Sequence, residues 1–300
     1  MANTTVAEGN FIDRWQKVIL FKDPNPVQRF RARYAIYLAL VPLVCALVLL
    51  ALVLIFAKLN LYHLEGSGVI IDPQVRTAYY DQVIEEVAPI LGYFSLMLLL
   101  TLAVGWVVMN WATHPFRHAE EALRRLVVEK KRIEIDMNWQ TESLDFEQTV
   151  QAYIDAVSSK SKLEKSSEPT VRYTLNYKFL FKFIAVFLPV SIITSMILRI
   201  VVESVYGKIV SLALNLLHGR TIQSHYILAQ QEVLDDTQNI MLIVSVFAYF
   251  LIGRYLSHHI STMIFVFTRA MRETKFPVKL RPTDIYHSLA DVLNQLHDRR

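Results

Sequence analysis

His114 and His118 stand four residues apart, and His258 and His259 stand side by side, each pair just beyond a long apolar run. Imidazoles at i and i+4 share one helix face, a spacing that suits transition-metal ligation. A metal centre needs further ligands converging from elsewhere, and the sequence offers no His, Cys, Asp or Glu cluster spaced to supply them. The four rings are therefore expected as interfacial groups at lipid-headgroup level, with no metal. Cys45 is the single cysteine, so no intrachain disulfide can form, and its apolar setting suits a small buried side chain. Ser95, Thr101, Ser191, Thr194 and Ser195 are hydroxyls within apolar runs, and such groups usually bond their own helix backbone or a neighbour. Glycine occurs eight times, and no phosphate-binding loop can be traced. No catalytic residue, cofactor or enzyme activity is expected.

The elements that must position these groups are membrane spans. Four apolar runs, about 35–57, 87–113, 183–202 and 237–253, approach the roughly 20 residues needed to cross a bilayer. The first two contain no charged residue, and the third has only Arg199 near one end, where its side chain can snorkel. Arg14, Lys17, Lys22, Arg29, Arg31 and Arg33 precede the first span. The loop 114–182 and the tail from Arg254 are also rich in base, while the two segments between paired spans carry acids such as Glu85, Glu86, Asp235 and Asp236. Positive charge stays on the cytoplasmic side, which predicts a multi-pass membrane protein with both termini and the middle loop cytoplasmic. The net charge of +4 follows from this bias and gives no reason to expect nucleic acid.

The chain also repeats itself. Leu40–Pro42 (LVP) and Phe187–Pro189 (FLP) occupy similar places in spans one and three. Arg76-Thr77 leads into Glu85-Glu86-Val87, as Arg220-Thr221 leads into Gln231-Glu232-Val233. Ile133 and Ile135 match Val278 and Leu280 at an offset of 145 residues. Shared order at a near-constant offset points to duplication of a hairpin with its cytoplasmic extension.

After the first hairpin, Pro115, Ala119, Ala122, Leu126 and Glu129 recur at spacings of four and three, one face of a helix that begins at a proline. A connector with Ile133 and Ile135 follows. Glu142 then opens a second amphipathic helix with Phe146, Val150, Tyr153 and Val157 on one face. After the second hairpin the plan recurs. Ile260, Ile264, Phe267, Met271 and Thr274 form the first face, Val278 and Leu280 lie in the connector, and Asp284 precedes Ile285, Leu289, Val292 and Leu296.

A span, a proline, a short amphipathic helix, a two-anchor connector, an acidic residue and a second amphipathic helix resemble a HAMP domain, the linker below the membrane in chemoreceptors and sensor kinases. The resemblance covers about 85 of the 300 residues. The connector glycine usual in the family is missing from both copies, and Ile260 stands where the second copy would carry proline. The resemblance implies a parallel four-helix bundle, which two chains normally build together. Here one chain would supply both helix pairs, an intramolecular pseudo-dimer, with higher oligomers left open. The polar stretch SSKSKLEKSSEPT (158–170) would span on the order of 20 Å as a coil, enough to return the chain to the membrane.

The expected organisation is a cytoplasmic N-terminal segment (1–33), hairpin 1 (34–113), module 1 (114–157), linker (158–176), hairpin 2 (177–254) and module 2 (255–300). Residues 10–21 place Phe11, Trp15, Val18 and Ile19 on one face, which suits a helix on the inner membrane surface or one docked on the bundle. The expected partners are the lipid bilayer and a protein in the membrane or cytoplasm. With that resemblance, the leading reading is an all-α, non-enzymatic signalling or regulatory adaptor of a bacterial inner membrane; HAMP-only membrane proteins of this kind include some connected with bacterial motility. A structural subunit of a larger membrane complex and a small transporter or channel are the alternatives.

Overall fold

The computed structural model describes residues 26–66, 68, 70–129, 144–159, 177–216, 224–273, 276–280 and 285–298. Ile133, Ile135, Glu142, Thr274, Asp284 and the segment 10–21 lie outside them. The described elements are six helices and no strand: α1 (Pro26–Gly66), α2 (Pro73–Glu129), α3 (Leu144–Ser158), α4 (Tyr177–Leu216), α5 (Ser224–Glu273) and α6 (His287–Asp298).

Four of these, α1, α2, α4 and α5, are long and apolar enough to cross a membrane. Leu96, Leu99, Val107, Met196, Ile243 and Phe247 all point outward. Helices that are apolar on every face suit lipid as the surrounding solvent, and the chain is a multi-pass membrane protein. At 41 and 57 residues, α1 and α2 reach about 60 and 85 Å, roughly two to three times the hydrocarbon thickness. The segments between paired spans, met in the sequence as links, are therefore mostly helix. Leu61, Leu64, Tyr79 and Val83 stay buried there and carry the helical period past the bilayer. Gly68, at φ 83°, closes the end of α1, its N–H donating to the Glu65 carbonyl at 3.0 Å.

Proline does not interrupt these helices. Pro42 lies within α1 and Pro189 within α4, and α2 runs unbroken through Pro89 and Pro115. The break expected at Pro115 is replaced by a continuous helix of 57 residues. The only backbone bond that proline removes is its own N–H to the Trp111 carbonyl, and flanking turns packed on both sides hold the axis.

The chain forms two compact units. One combines Tyr37–Val104 with Ile184–Ile252, and the other combines Met1–Ile36, Gly105–Phe183 and Gly253–Arg300. The first, the hairpin unit, has a core built around Leu49, Val53, Ile90, Val202, Ile209 and Leu234. Three polar contacts in it run helix to helix. The Ser191 and Ser245 hydroxyls lie 2.5 Å apart, Tyr206 donates to Gln230 Oε1 at 2.9 Å, and Tyr249 donates to the Leu38 carbonyl at 3.3 Å. Ser95, Thr101 and Thr194 instead bond carbonyls of their own helices. Arg76 pairs with Glu65, and Lys208 meets Glu86 at 2.6 Å.

Candidate functional site: the junction unit

The second unit takes in the stretch where α2 and α5 leave their apolar runs, together with the foot of α1 and all of α3 and α6. On α2, buried side chains fall at Ala112, Thr113, Pro115, Phe116, Ala119, Ala122, Leu123 and Leu126. The steps of three and four place them along one helical stripe. On α3 the stripe is Phe146, Val150, Tyr153 and Ile154; on α5 it is Ile260, Met263, Phe267, Ala270 and Met271; on α6 it is Leu289, Val292, Leu293 and Leu296.

Phe116 links these faces. Its ring, 1% exposed, stacks on Tyr286 with centroids 4.5 Å apart. It also meets Phe146 of α3 at 5.4 Å and Phe267 of α5 at 6.3 Å. Burial of rings of this size dominates the energetics of a small core, and each close pair adds about 0.5–1.5 kcal/mol beyond its area. Further out, Arg272 donates to Thr149 Oγ1 at 3.2 Å, so α5 is also fastened to α3 through a polar contact.

A polar node sits beside this aromatic cluster. Thr113 Oγ1 donates to the Met109 carbonyl at 2.9 Å and accepts from Arg31 Nε at 2.7 Å. The Tyr286 hydroxyl donates to the Thr113 carbonyl at 3.2 Å. Two segments distant in sequence are thus pinned to a single turn of α2. Arg31 is 7% exposed, its Nη2 has no hydrogen-bond partner, and no acid among the described residues pairs with it. Taking a charge out of water is costly unless hydrogen bonds replace its hydration, and the bond to Thr113 supplies one of them. Burial holds the Tyr286 phenol well above the usual tyrosine range.

The connector before α6 is fixed by an amide. Asn294 Oδ1 accepts from the Val278 N–H at 2.7 Å while its Nδ2 donates to the Val278 carbonyl at 3.3 Å. One side chain satisfies both backbone groups of a non-helical residue. Phe276 adds a ring stacked on His297 at 4.3 Å and another contact to Tyr153 at 6.3 Å.

Of the residues singled out from sequence, Pro115, Ala119, Ala122, Leu126, Phe146, Val150, Ile260, Phe267, Met271, Val278, Leu289 and Val292 are buried in this unit. Leu280 and Ile264 are only partly buried; on α5 the inward position is Met263. Ile133, Ile135, Glu142 and Asp284 belong to the undescribed stretches. Sequence reasoning missed Phe116, Leu123, Tyr286, Arg31 and Asn294. Phe116 and Leu123 fit the same heptad-like stripe, and a search centred on Pro115 obscured them. Arg31 and Asn294 gave no sequence signal, because both act through long-range partners.

Among the described residues no three His, Cys, Asp or Glu side chains converge. The site offers mechanical linkage: side chains from α1, α2, α3, α5 and the segment before α6 meet at Thr113 and Phe116. Compared with protein-family models, curated proteins and solved structures, the chain matches none of them.

Proposed function

We propose that this protein is a non-enzymatic signal-transducing adaptor of a bacterial inner membrane, with both termini cytoplasmic, whose HAMP-type bundle is built within one chain and read by a separate protein. The observation that carries this reading is that α2 and α5 each run unbroken from the hairpin unit into the junction unit. Rotation or axial shift of either helix at its outer end is therefore delivered to Phe116 or Phe267 without an intervening flexible joint.

The junction supplies a reason for such a shift to matter. Close-packed rings tolerate few intermediate positions, so a displaced helix moves to a different packing instead of deforming smoothly. Burial of Arg31 costs free energy that an arrangement exposing its guanidinium to water would not incur. A bundle with such a penalty is one whose population a modest input can shift.

The test is photo-crosslinking in native membranes from the exposed α2 positions Arg124 and Arg125, in the parent and in Thr113→Val and Tyr286→Phe variants. A relay predicts a captured protein whose yield changes severalfold in the junction variants while the amount of membrane-inserted adaptor stays constant. A stoichiometric partner captured equally by all three would contradict the relay and indicate a structural subunit.

A further inference from the structure

The histidines of this chain are placed in two different ways. The rings of His63, His259 and His297 lie flat against Tyr226, Phe30 and Phe276, with centroids 4.3, 5.5 and 4.3 Å apart. The His114 and His118 rings meet each other, with centroids 4.1 Å apart and planes tilted by 44°. Their Nε2 atoms lie 2.9 Å apart, with His114 half-buried and His118 exposed.

That separation has a chemical meaning. Two imidazole nitrogens bound to one ion at about 2.05 Å sit about 2.9 Å apart at a right angle and about 3.4 Å apart at the tetrahedral angle. The His114–His118 bite thus already matches two adjacent positions around a transition metal, and small side-chain rotations cover the tetrahedral case. Without metal, one ring donates its Nε2 proton to the other. Binding needs both Nε2 lone pairs, so the donor ring must carry its proton at Nδ1 instead, a tautomer change that costs little.

From this geometry we infer that His114 and His118 form a bidentate chelate site for a late first-row divalent ion, Ni²⁺, Cu²⁺ or Zn²⁺. Imidazole nitrogen suits these metals and binds Cu²⁺ most strongly of the three. The nearest carboxylates on the same helix are committed elsewhere: Glu120 pairs with Arg124 at 3.4 Å and Glu121 with Arg125 at 2.7 Å. Among the described residues no third side-chain ligand joins them.

Its position gives the chelate a mechanical consequence. The turn it would staple begins one residue before Pro115 and contains Phe116. A bound ion would fix this turn of α2 just past the helical hydrogen bond that the proline removes. The effect on signalling rests on the adaptor reading; the binding itself does not.

The test uses the full-length protein, purified in detergent without a polyhistidine tag, and titrated with Ni²⁺ alone against a weak colorimetric chelator. The expected result is one ion per chain in the parent. Affinity should fall roughly tenfold or more in both His118→Ala and His114→Ala, as a second ligand held at high effective concentration is lost. His258→Ala should bind like the parent. Parent-like affinity in His118→Ala, or equal loss in His258→Ala, would overturn the assignment. Circular dichroism of each variant separates loss of ligand from loss of fold. If Ni²⁺ binds as expected but leaves the photo-crosslinking yield unchanged, the chelate stands and its link to the relay fails.

Discussion

Of the four helices with residues in both units, α2 and α5 enter the junction unit with similar residues in different order. On α2 the sequence is Thr113-His114-Pro115-Phe116-Arg117-His118; on α5 it is Ser257-His258-His259-Ile260. Histidines four apart bring their nitrogens together, whereas neighbours on a helix point about 100° apart, and His259 stacks on Phe30 instead. Proline is present in one crossing and absent in the other, yet both helices continue. What distinguishes the α2 crossing is its anchorage: a threonine tied to Arg31 and Tyr286, followed by a phenylalanine that touches three other rings. Residue spacing, more than residue type, sets what each crossing does.

The largest expected effect separates the two crossings by ring contacts. Phe116→Ala should destabilise the protein by about 3–5 kcal/mol, as a large core side chain is removed from a packed site. Phe267→Ala should cost less, because Phe116 bridges three aromatic partners. Thermal unfolding in one detergent, followed by tryptophan fluorescence, checks the order. A larger loss for Phe267→Ala would reverse the ranking of the crossings.

A second, smaller effect belongs to α5. A Cβ placed on Gly253 would lie 2.5 Å from Phe183 Cδ1 and 3.3 Å from Leu180 Cδ1. Those rings and methyls are core, with Phe183 fully buried, so they can yield only by shifting α4. Gly253→Val should cost about 1–3 kcal/mol by overpacking. The same substitution at Gly92, whose Cβ would meet nothing within 4 Å, should be far milder in the same assay.

The smallest effect concerns Tyr286 and depends on pH. Its phenol is held above the ordinary value of 10.0, chiefly by burial, so the folded state keeps a proton that the unfolded state gives up. The linked stability is present below about pH 10 and is lost as pH rises beyond it. Tyr286→Phe should cost about 1 kcal/mol at neutral pH through the lost hydrogen bond to Thr113. It should also flatten the alkaline fall in stability, which melting curves between pH 7 and pH 11 measure directly.

Much of the architecture can be read from local pattern. Spans show as uninterrupted apolar runs, and the inward faces of α3 and α6 follow from Phe146-Val150 and Leu289-Val292 because amphipathic periodicity is a property of the local chain. Pro115 was misleading. Proline is a strong local breaker in water, but a helix packed on several sides can spare one hydrogen bond, and that packing is invisible in sequence. The α5 face likewise turned out to run through Met263 and not Ile264, since both fit an i+3/i+4 stripe and only the partner helices choose between them. The Arg31–Thr113–Tyr286 node joins residues 82 and 173 positions apart, and no local pattern encodes it.

The central claim is that one chain builds the whole junction core, and the Thr149–Arg272 contact across α3 and α5 tests it most directly. Cysteines at these two positions in a Cys45→Ala background, treated with a short bismaleimide in native membranes, should give an intrachain crosslink. The product should run as a monomer, and its yield should not change when the variant is diluted with parent protein lacking cysteine. A product that runs only as a dimer, and that disappears on dilution, would show that two chains build the core and would contradict the account.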